Sequence, residues 1–305
     1  MTETFKDILP PELVKHISAI CGHRGEAWFG ELPRIIHELE RQWSLKVLKP
    51  FPGIEFNFVA PAVLEDGIDA VVKISPPFER IEIHSEAKYL RVRGGQGAVE
   101  LLAEDRDRRA ILIEYAMPGE ALFKCFSENP FRCVDPAIEV LRSILRPPPP
   151  DMSDVDTLDN WFYNFRRYRE TDFPKRYAEK AFEIYERLSN QPDRTFYLHG
   201  DFHPGNVVTA TRERFLAIDP KGIVGHIGYE ISVFLNNLHW WQKKDPDIKA
   251  YLKNAIRQFA AAFDLNEREL REWAYAGMVI GAWWNFDDMP EHYDGEVALA
   301  DIWDV

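Results

Sequence analysis

The chain is short of positive charge, of cysteine and of long apolar runs, and each shortage removes a class of protein. Its 37 lysines and arginines face 50 aspartates and glutamates, a net charge of −13. That balance argues against a nucleic-acid partner, whose phosphates would be repelled. It suits a cationic small molecule, because a cleft lined with one sign of charge concentrates the other. The three cysteines, Cys21, Cys125 and Cys133, are odd in number and lack CxxC or other metal-ligand spacing. They read as reduced thiols of a cytoplasmic protein rather than a disulfide framework or a zinc site. The opening residues, MTETFKDILPPELVKH, carry acids early and lack the apolar core of a signal peptide. The longest apolar stretch, Trp273 to Trp284, is too short to cross a bilayer, so no membrane association is expected. No GxGxxG occurs, nor any internal repeat.

What remains is globular. The 305 residues are 46% apolar and 13% aromatic, enough for one large domain or two lobes. Apolar residues three and four apart predict helices over Glu12–Ile20 and Glu26–Trp43. Short β-like runs follow at Leu45–Val47, Glu55–Val63 and Asp69–Ile74, with Asp66-Gly67 as a hairpin turn between the last two. Glu79–Val92 reads as a helix stopped by Gly94-Gly95, and strands follow at Val99–Glu104 and Ala110–Tyr115. From Met117-Pro118-Gly119 onward helical periodicity dominates: Cys133–Leu145, Val155–Arg169, Lys175–Leu188, Gly228–Trp241, Pro246–Phe263 and Glu267–Gly281. Two or three short strands are expected to interrupt it, and the prolines from Pro147 to Pro150 form a stiff connector. The pattern is that of an α+β, protein-kinase-like, two-lobed fold. Residues 1–117 would form a small β-rich lobe that anchors nucleotide, and 118–305 a larger, mostly helical lobe for catalysis and acceptor binding.

The chemistry concentrates in Phe196 to Gly225, FYLHGDFHPGNVVTATRERFLAIDPKGIVG. Asp201 and Asn206 stand five apart across a Pro-Gly turn, and Asp219 ends the apolar run Phe215–Ile218. Two acids and an amide so placed can hold Mg²⁺ and aim a hydroxyl at a nucleotide phosphate. Asp201 would accept or orient the hydroxyl proton, with Asn206 and Asp219 as metal ligands. Upstream, Lys73 lies in the otherwise apolar run Ala70–Ile74 and Glu86 on the helix that follows. A lysine on a buried strand needs a carboxylate partner, and kinases use such a pair against the α- and β-phosphates of ATP. The turn Leu64–Gly67 would cover the phosphates with backbone amides, and the backbone of Glu114 and Ala116 would meet the adenine edge. Lys221 could add positive charge near the γ-phosphate. One rival assigns His199, Asp201 and His203, alternating along a strand, to a facial metal triad. Pro204-Gly205 breaks that strand, and the rival leaves Asn206, Asp219, Lys73 and Glu86 without roles.

The loop LHGDFHPGN, followed by FLAIDPKGIVG and GYEISVFLNN, resembles the aminoglycoside phosphotransferase superfamily. The DPKG form of the metal motif is similar to that of the streptomycin 6-kinase and hydroxyurea phosphotransferase branch. Supporting stretches are Trp28–Pro33, Glu65-Asp66-Gly67, Gly95–Ala98 and Met117-Pro118-Gly119. The resemblance implies ATP, Mg²⁺ and a protein-kinase-like fold. It assigns Asp201 as base, Asn206 and Asp219 as metal ligands, and Lys73 with Glu86 as the phosphate-anchoring pair. One departure is visible: His226-Ile227 stand where the branch has Asp-Pro, before Gly228-Tyr229-Glu230, and Glu230 fills the acidic position.

For the acceptor, Trp283 to Val305 holds seven acids, no lysine or arginine, and interleaved aromatic rings. Asp287 and Asp288 with those rings would suit a polycationic aminosugar; a solvated tail is the alternative. His203, Glu230 and Trp240 complete the candidate substrate or phosphate contacts. The expected reaction is transfer of the γ-phosphate of ATP to a hydroxyl of a streptomycin-like aminoglycoside. A hydroxyurea-like or other small hydroxylated compound stands as the alternative acceptor, and a non-catalytic nucleotide-binding module as the alternative class. Nothing in the sequence speaks to oligomeric state.

Overall fold

Two helices open the chain, α1 (Pro11–Cys21) and α2 (His23–Trp43), each with one apolar stripe. The stripe, Leu13, Ile17, Trp28, Phe29, Leu32 and Leu39, shares a buried core with Phe58, Ala60, Ala70, Val72 and Ile74. Those strand residues belong to an antiparallel five-stranded sheet ordered β1-β2-β3-β5-β4. Its strands are β1 (Leu45–Val47), β2 (Phe58–Leu64), β3 (Asp69–Ile74), β4 (Leu101–Asp105) and β5 (Ala110–Glu114). Successive strand residues face opposite sides. Ala70, Val72 and Ile74 therefore serve the helical core, and Val71 and Lys73 face the side of α3 (Glu82–Arg93).

The computed structural model describes residues 5–65, 67, 69–79, 82–288, 293 and 295–305. Asp66 of the hairpin turn and Glu291 and Asp294 of the acidic segment lie outside these residues, as do the side chains of Trp241 and Asp288. The chain divides into two compact units, Met1–Ala116 and Met117–Val305. The sheet and α1–α3 make up the first.

The second unit contains α4 (Leu122–Cys125), α5 (Val134–Ile144), α6 (Leu158–Phe165), α7 (Lys175–Leu188), α8 (Ile227–Gln242), α9 (Ile248–Phe263) and α10 (Glu267–Asp288). Five short strands run among them: β6 (Asp156–Thr157), β7 (Thr195–Leu198), β8 (Val207–Thr209), β9 (Phe215–Ala217) and β10 (Ile223–His226). They form a three-stranded sheet, β6-β10-β7, and a β8-β9 hairpin. Five is more than the two or three expected, because strands of two to four residues are too short to show a period. The helix expected over Val155–Arg169 is also divided. Asp156-Thr157 pairs with β10, and the Thr157 hydroxyl then caps α6 by accepting from the Asn160 N–H at 3.1 Å. At the other end, α10 continues past Gly281 to Asp288, so the acidic segment begins as helix.

Helices α8 and α10 meet at backbone distance. A Cβ on Gly228 would lie 2.2 Å from Trp273 Cδ1, and one on Gly277 would lie 2.3 Å from Ser232 Oγ. Trp273 is fully buried and stacks on His226 with ring centroids 5.0 Å apart. His226 caps α8, its Nδ1 accepting the Gly228 N–H at 2.9 Å. Burial, then the Arg194 charge, pushes the His226 imidazole down to about 4. No helix among the described residues is long and apolar enough to cross a membrane, and Cys21, Cys125 and Cys133 are all free thiols.

Gly228→Ala is expected to cost about 3 kcal/mol in urea unfolding, since Trp273 has nowhere to retreat. His226 gives a pH signature. The folded state keeps its ring neutral down to about 4, whereas an unfolded histidine protonates near ~6.5. Its contribution is complete above the unfolded value and is lost as pH falls toward the folded one, up to about 3 kcal/mol. His226→Asn, which keeps a cap acceptor, should flatten the fall in stability across that window.

Candidate active site

Leu198 ends β7, and the chain then passes Gly200 in a left-handed conformation, φ +81°. A Cβ there would sit 3.1 Å from Lys221 Cβ and 3.2 Å from Ile223 Cγ1, so glycine answers both the dihedral and the crowding. The loop is held from beneath by Glu230 on the first turn of α8. Its Oε1 accepts the His199 N–H at 2.6 Å and its Oε2 the Gly200 N–H at 2.8 Å, and the residue is fully buried. Burial pushes this carboxyl up to about 8, against the pull of the two amides.

His199 is equally buried and has a defined tautomer. Its Nδ1 accepts the Asp201 N–H at 3.3 Å, so Nε2 carries the proton and donates to Ile218 O at 2.8 Å. Burial lowers its ring to about 4, so it stays neutral. Asn206 closes the turn: its N–H donates to His203 O, and its carbonyl accepts the Ile218 N–H, both at 2.9 Å. The Asn206 side chain donates Nδ2 to Asp201 O at 3.0 Å and to Asp201 Oδ2 at 3.4 Å. With nitrogen turned toward Asp201, the amide presents its oxygen elsewhere. Asp219, one residue past Ile218, takes a left-handed backbone, φ +60°, which aspartate tolerates.

Asn206 Oδ1 and the Asp219 carboxylate are hard oxygen donors from adjoining backbone segments, the chemistry that Mg²⁺ selects. Among the described residues no cluster of three or more His, Cys, Asp or Glu side chains could cage a metal by itself. An ion held there would fill its remaining positions with phosphate and water oxygens, as Mg²⁺ does. The facial triad fails on geometry: both His199 ring nitrogens are committed, and His203 Nδ1 accepts the Gly205 N–H at 3.0 Å. His203 Nε2 lies 3.9 Å from Asp201 Oδ1, beyond hydrogen-bond reach.

In the first unit Lys73 Nζ stands 2.7 Å from Glu86 Oε2, with both side chains more than nine-tenths buried. Val59 pairs with Lys73 and Phe58 with Ile74, while Ala70 pairs with Glu114. The turn Leu64–Gly67, expected over the phosphates, therefore lies at the sheet end away from Lys73. Two of its amides are also engaged, Glu65 N–H to Ser44 O and Gly67 N–H to Leu64 O. The turn at Lys73's own end is residues 52–57, which contains Gly53 at φ +71°.

Two of the other expected contacts, Glu230 and Asp287, have their carboxylates engaged within the protein. The Glu114 N–H donates to Glu100 O at 2.8 Å, so it is not on offer to an adenine, and Ala116 is buried. Glu230 supports the loop from within rather than facing a substrate. Asp287 is ion-paired with Arg167. Trp240 is exposed, with Lys243 Nζ 3.8 Å above its ring. Lys221 is half-buried, its N–H donating to His199 O at 2.7 Å.

Residues 53–289 match the family described as aminoglycoside/hydroxyurea antibiotic resistance kinase. The chain belongs to that family. Streptomycin 6-kinase of Streptomyces griseus is 25% identical over 292 residues, covering 92% of this chain and 91% of the relative. Hydroxyurea phosphotransferase of Kitasatospora aureofaciens is 26% identical over 304 residues, covering 96% and 85%. A crystal structure of aminoglycoside phosphotransferase APH(4)-Ia, a thermostable mutant in ternary complex with ADP and hygromycin B, superposes with a TM-score of 0.57. It is 14% identical and covers 88% of this kinase and 98% of its own chain. The kinase has the α+β, protein-kinase-like fold, with a small β-rich N-terminal unit and a helical C-terminal one. It is a phosphotransferase that acts on hydroxyl groups.

Replacing Glu230 with Gln sets an NH₂ against one of two buried N–H donors, at a cost of about 1–3 kcal/mol. Hydrogen-exchange protection of the His199 and Gly200 amides should fall about 10- to 100-fold while that of β5 holds.

Proposed function

We propose that this kinase transfers the γ-phosphate of ATP to a hydroxyl of an aminoglycoside of the streptomycin kind, with Mg²⁺. The observation that carries the reading is the Asp201–Asn206 contact, 3.4 Å between Oδ2 and Nδ2, beside the Asp219 turn. Asp201 orients the acceptor hydroxyl and takes its proton; about one-third of its side chain is open to solvent, so an acceptor can reach it. Asn206 Oδ1 and the Asp219 carboxylate would hold Mg²⁺, which when bound would supply positive charge to offset that of the transferred phosphate. Lys73, fixed by Glu86, anchors the α- and β-phosphates, and the turn at residues 52–57 lends them backbone amides. Phosphoryl transfer depends on position and charge more than on a special base, so a carboxylate suffices for Asp201.

The acceptor is read from the two relatives that span most of the chain, which act on streptomycin and hydroxyurea by name. The second is the observation behind the alternative, phosphorylation of a small hydroxyurea-like compound. ATP consumption measured across a panel of aminoglycosides, hydroxyurea and small hydroxylated metabolites tests both. Consumption with none of them would leave a nucleotide-binding module instead. Asp201→Ala should lower turnover by at least about 10² to 10⁴ with nucleotide affinity nearly unchanged. Retained turnover would remove Asp201 from the reaction.

A further inference from the structure

His203 has no part in the chemistry above, although its ring is fixed beside the base. Phe202 before it is fully buried, its ring 5.9 Å from that of Phe234. Past it, the Pro204 carbonyl accepts the Phe123 N–H at 3.3 Å, and the His203 carbonyl accepts the Asn206 N–H at 2.9 Å. The imidazole is tied to the same turn, with Nδ1 accepting the Gly205 N–H at 3.0 Å. A ring nitrogen that accepts carries no proton, so the proton of the ring sits on Nε2 and makes it a donor.

That donor faces the base. Asp201 Oδ2 takes the Asn206 amide at 3.4 Å, and Oδ1 lies 3.9 Å from His203 Nε2. The separation is too long for a direct hydrogen bond, but a single oxygen about 2.8 Å from both atoms fits between them, at an angle of about 90°. The Asp201 side chain is 34% exposed and that of His203 21%, so such an oxygen can enter from solvent.

We infer that the space between Asp201 Oδ1 and His203 Nε2 seats the acceptor's reacting oxygen, and that His203 is a second residue in contact with it. The inference rests on the functional reading above, in which Asp201 is the base. The acceptor hydroxyl donates its proton to Asp201 Oδ1 and accepts from His203 Nε2–H through one lone pair. Its other lone pair is left to form the bond to the γ-phosphorus. As that bond forms, the phosphorus–oxygen bond to ADP breaks and its electron pair leaves with ADP. The acceptor proton passes to Asp201, and His203 keeps its own. Two fixed directions around the oxygen set the third, which aims the attack. The seat also discriminates: an ammonium group has no lone pair to accept from Nε2–H, so protonated amines on the same molecule are turned away.

Substitution can separate the two ring nitrogens. His203→Asn keeps an acceptor near Nδ1 for the Gly205 N–H and removes the Nε2 donor. His203→Gln keeps a donor near Nε2 and removes the turn acceptor. Steady-state kinetics and melting temperatures of the full chain test the assignment, with streptomycin, hydroxyurea and water (basal ATP hydrolysis) as acceptors. His203→Asn should lower kcat about 10- to 100-fold with the ATP KM and melting temperature unchanged. His203→Gln should recover kcat at least about fivefold over His203→Asn while melting lower, since it loses the turn bond. A role confined to the turn gives the opposite order. The inference falls if His203→Asn holds kcat within about threefold of wild type, or if His203→Gln is no faster than His203→Asn. Turnover lost in Asp201→Ala but kept in His203→Asn leaves the kinase reading intact and overturns this inference alone. A wild-type chain that passes phosphate to neither compound nor to water overturns both.

Discussion

Two consecutive backbone amides, those of His199 and Gly200, are both given to one buried carboxylate, and the geometry of the candidate site follows from that exchange. Left alone, each buried N–H would cost about 1–3 kcal/mol, so the loop has one low-energy path past Glu230. Along that path His199 settles between Asp201 N–H and Ile218 O. This ties the start of the loop to the strand that delivers Asp219. Asn206 then ties Asp201 to Ile218 by a second route. The backbone at Asp201, Asn206 and Ile218, just before Asp219, is thus positioned by buried hydrogen bonds.

That support is only as firm as α8, which carries Glu230 one turn from its start. The helix is fixed by the His226 cap and by contact with α10 so close that glycine is needed on each side, Gly228 and Gly277. Trp273 fills the space between, stacked on His226. Tight packing of this kind transmits small volume changes instead of absorbing them, so residues outside the loop contribute to its geometry.

Much of this was legible in the sequence. Lys73 among four apolar neighbours demanded a partner, and Glu86 supplies it at 2.7 Å. Helices α5, α7 and α9 of the second unit are legible by period, because each buries one broad stripe. The misplaced features share a cause: they depend on pairings the local pattern cannot encode. A strand expected from Glu55 takes in the end of the turn at residues 52–57, and the turn expected over phosphate falls at the sheet end away from Lys73. Asp287 looked available to a substrate because its partner, Arg167, lies far away in the chain. Glu230 is chemically an acid like any other until the two amides facing it are seen. Trp283 and Trp284 are identical by composition; only the helical turn between them sends one into the core and the other outward.

Helix α10 is not uniform along its length. Its earlier turns, with Trp273 and Gly277, seat the helix that steadies the loop, and its last turns bear Trp284. Heritable variation is therefore unevenly tolerated along it. Changes near the middle disturb the seating of α8, whereas the last turns, where Trp284 is 37% exposed, lie beyond that contact.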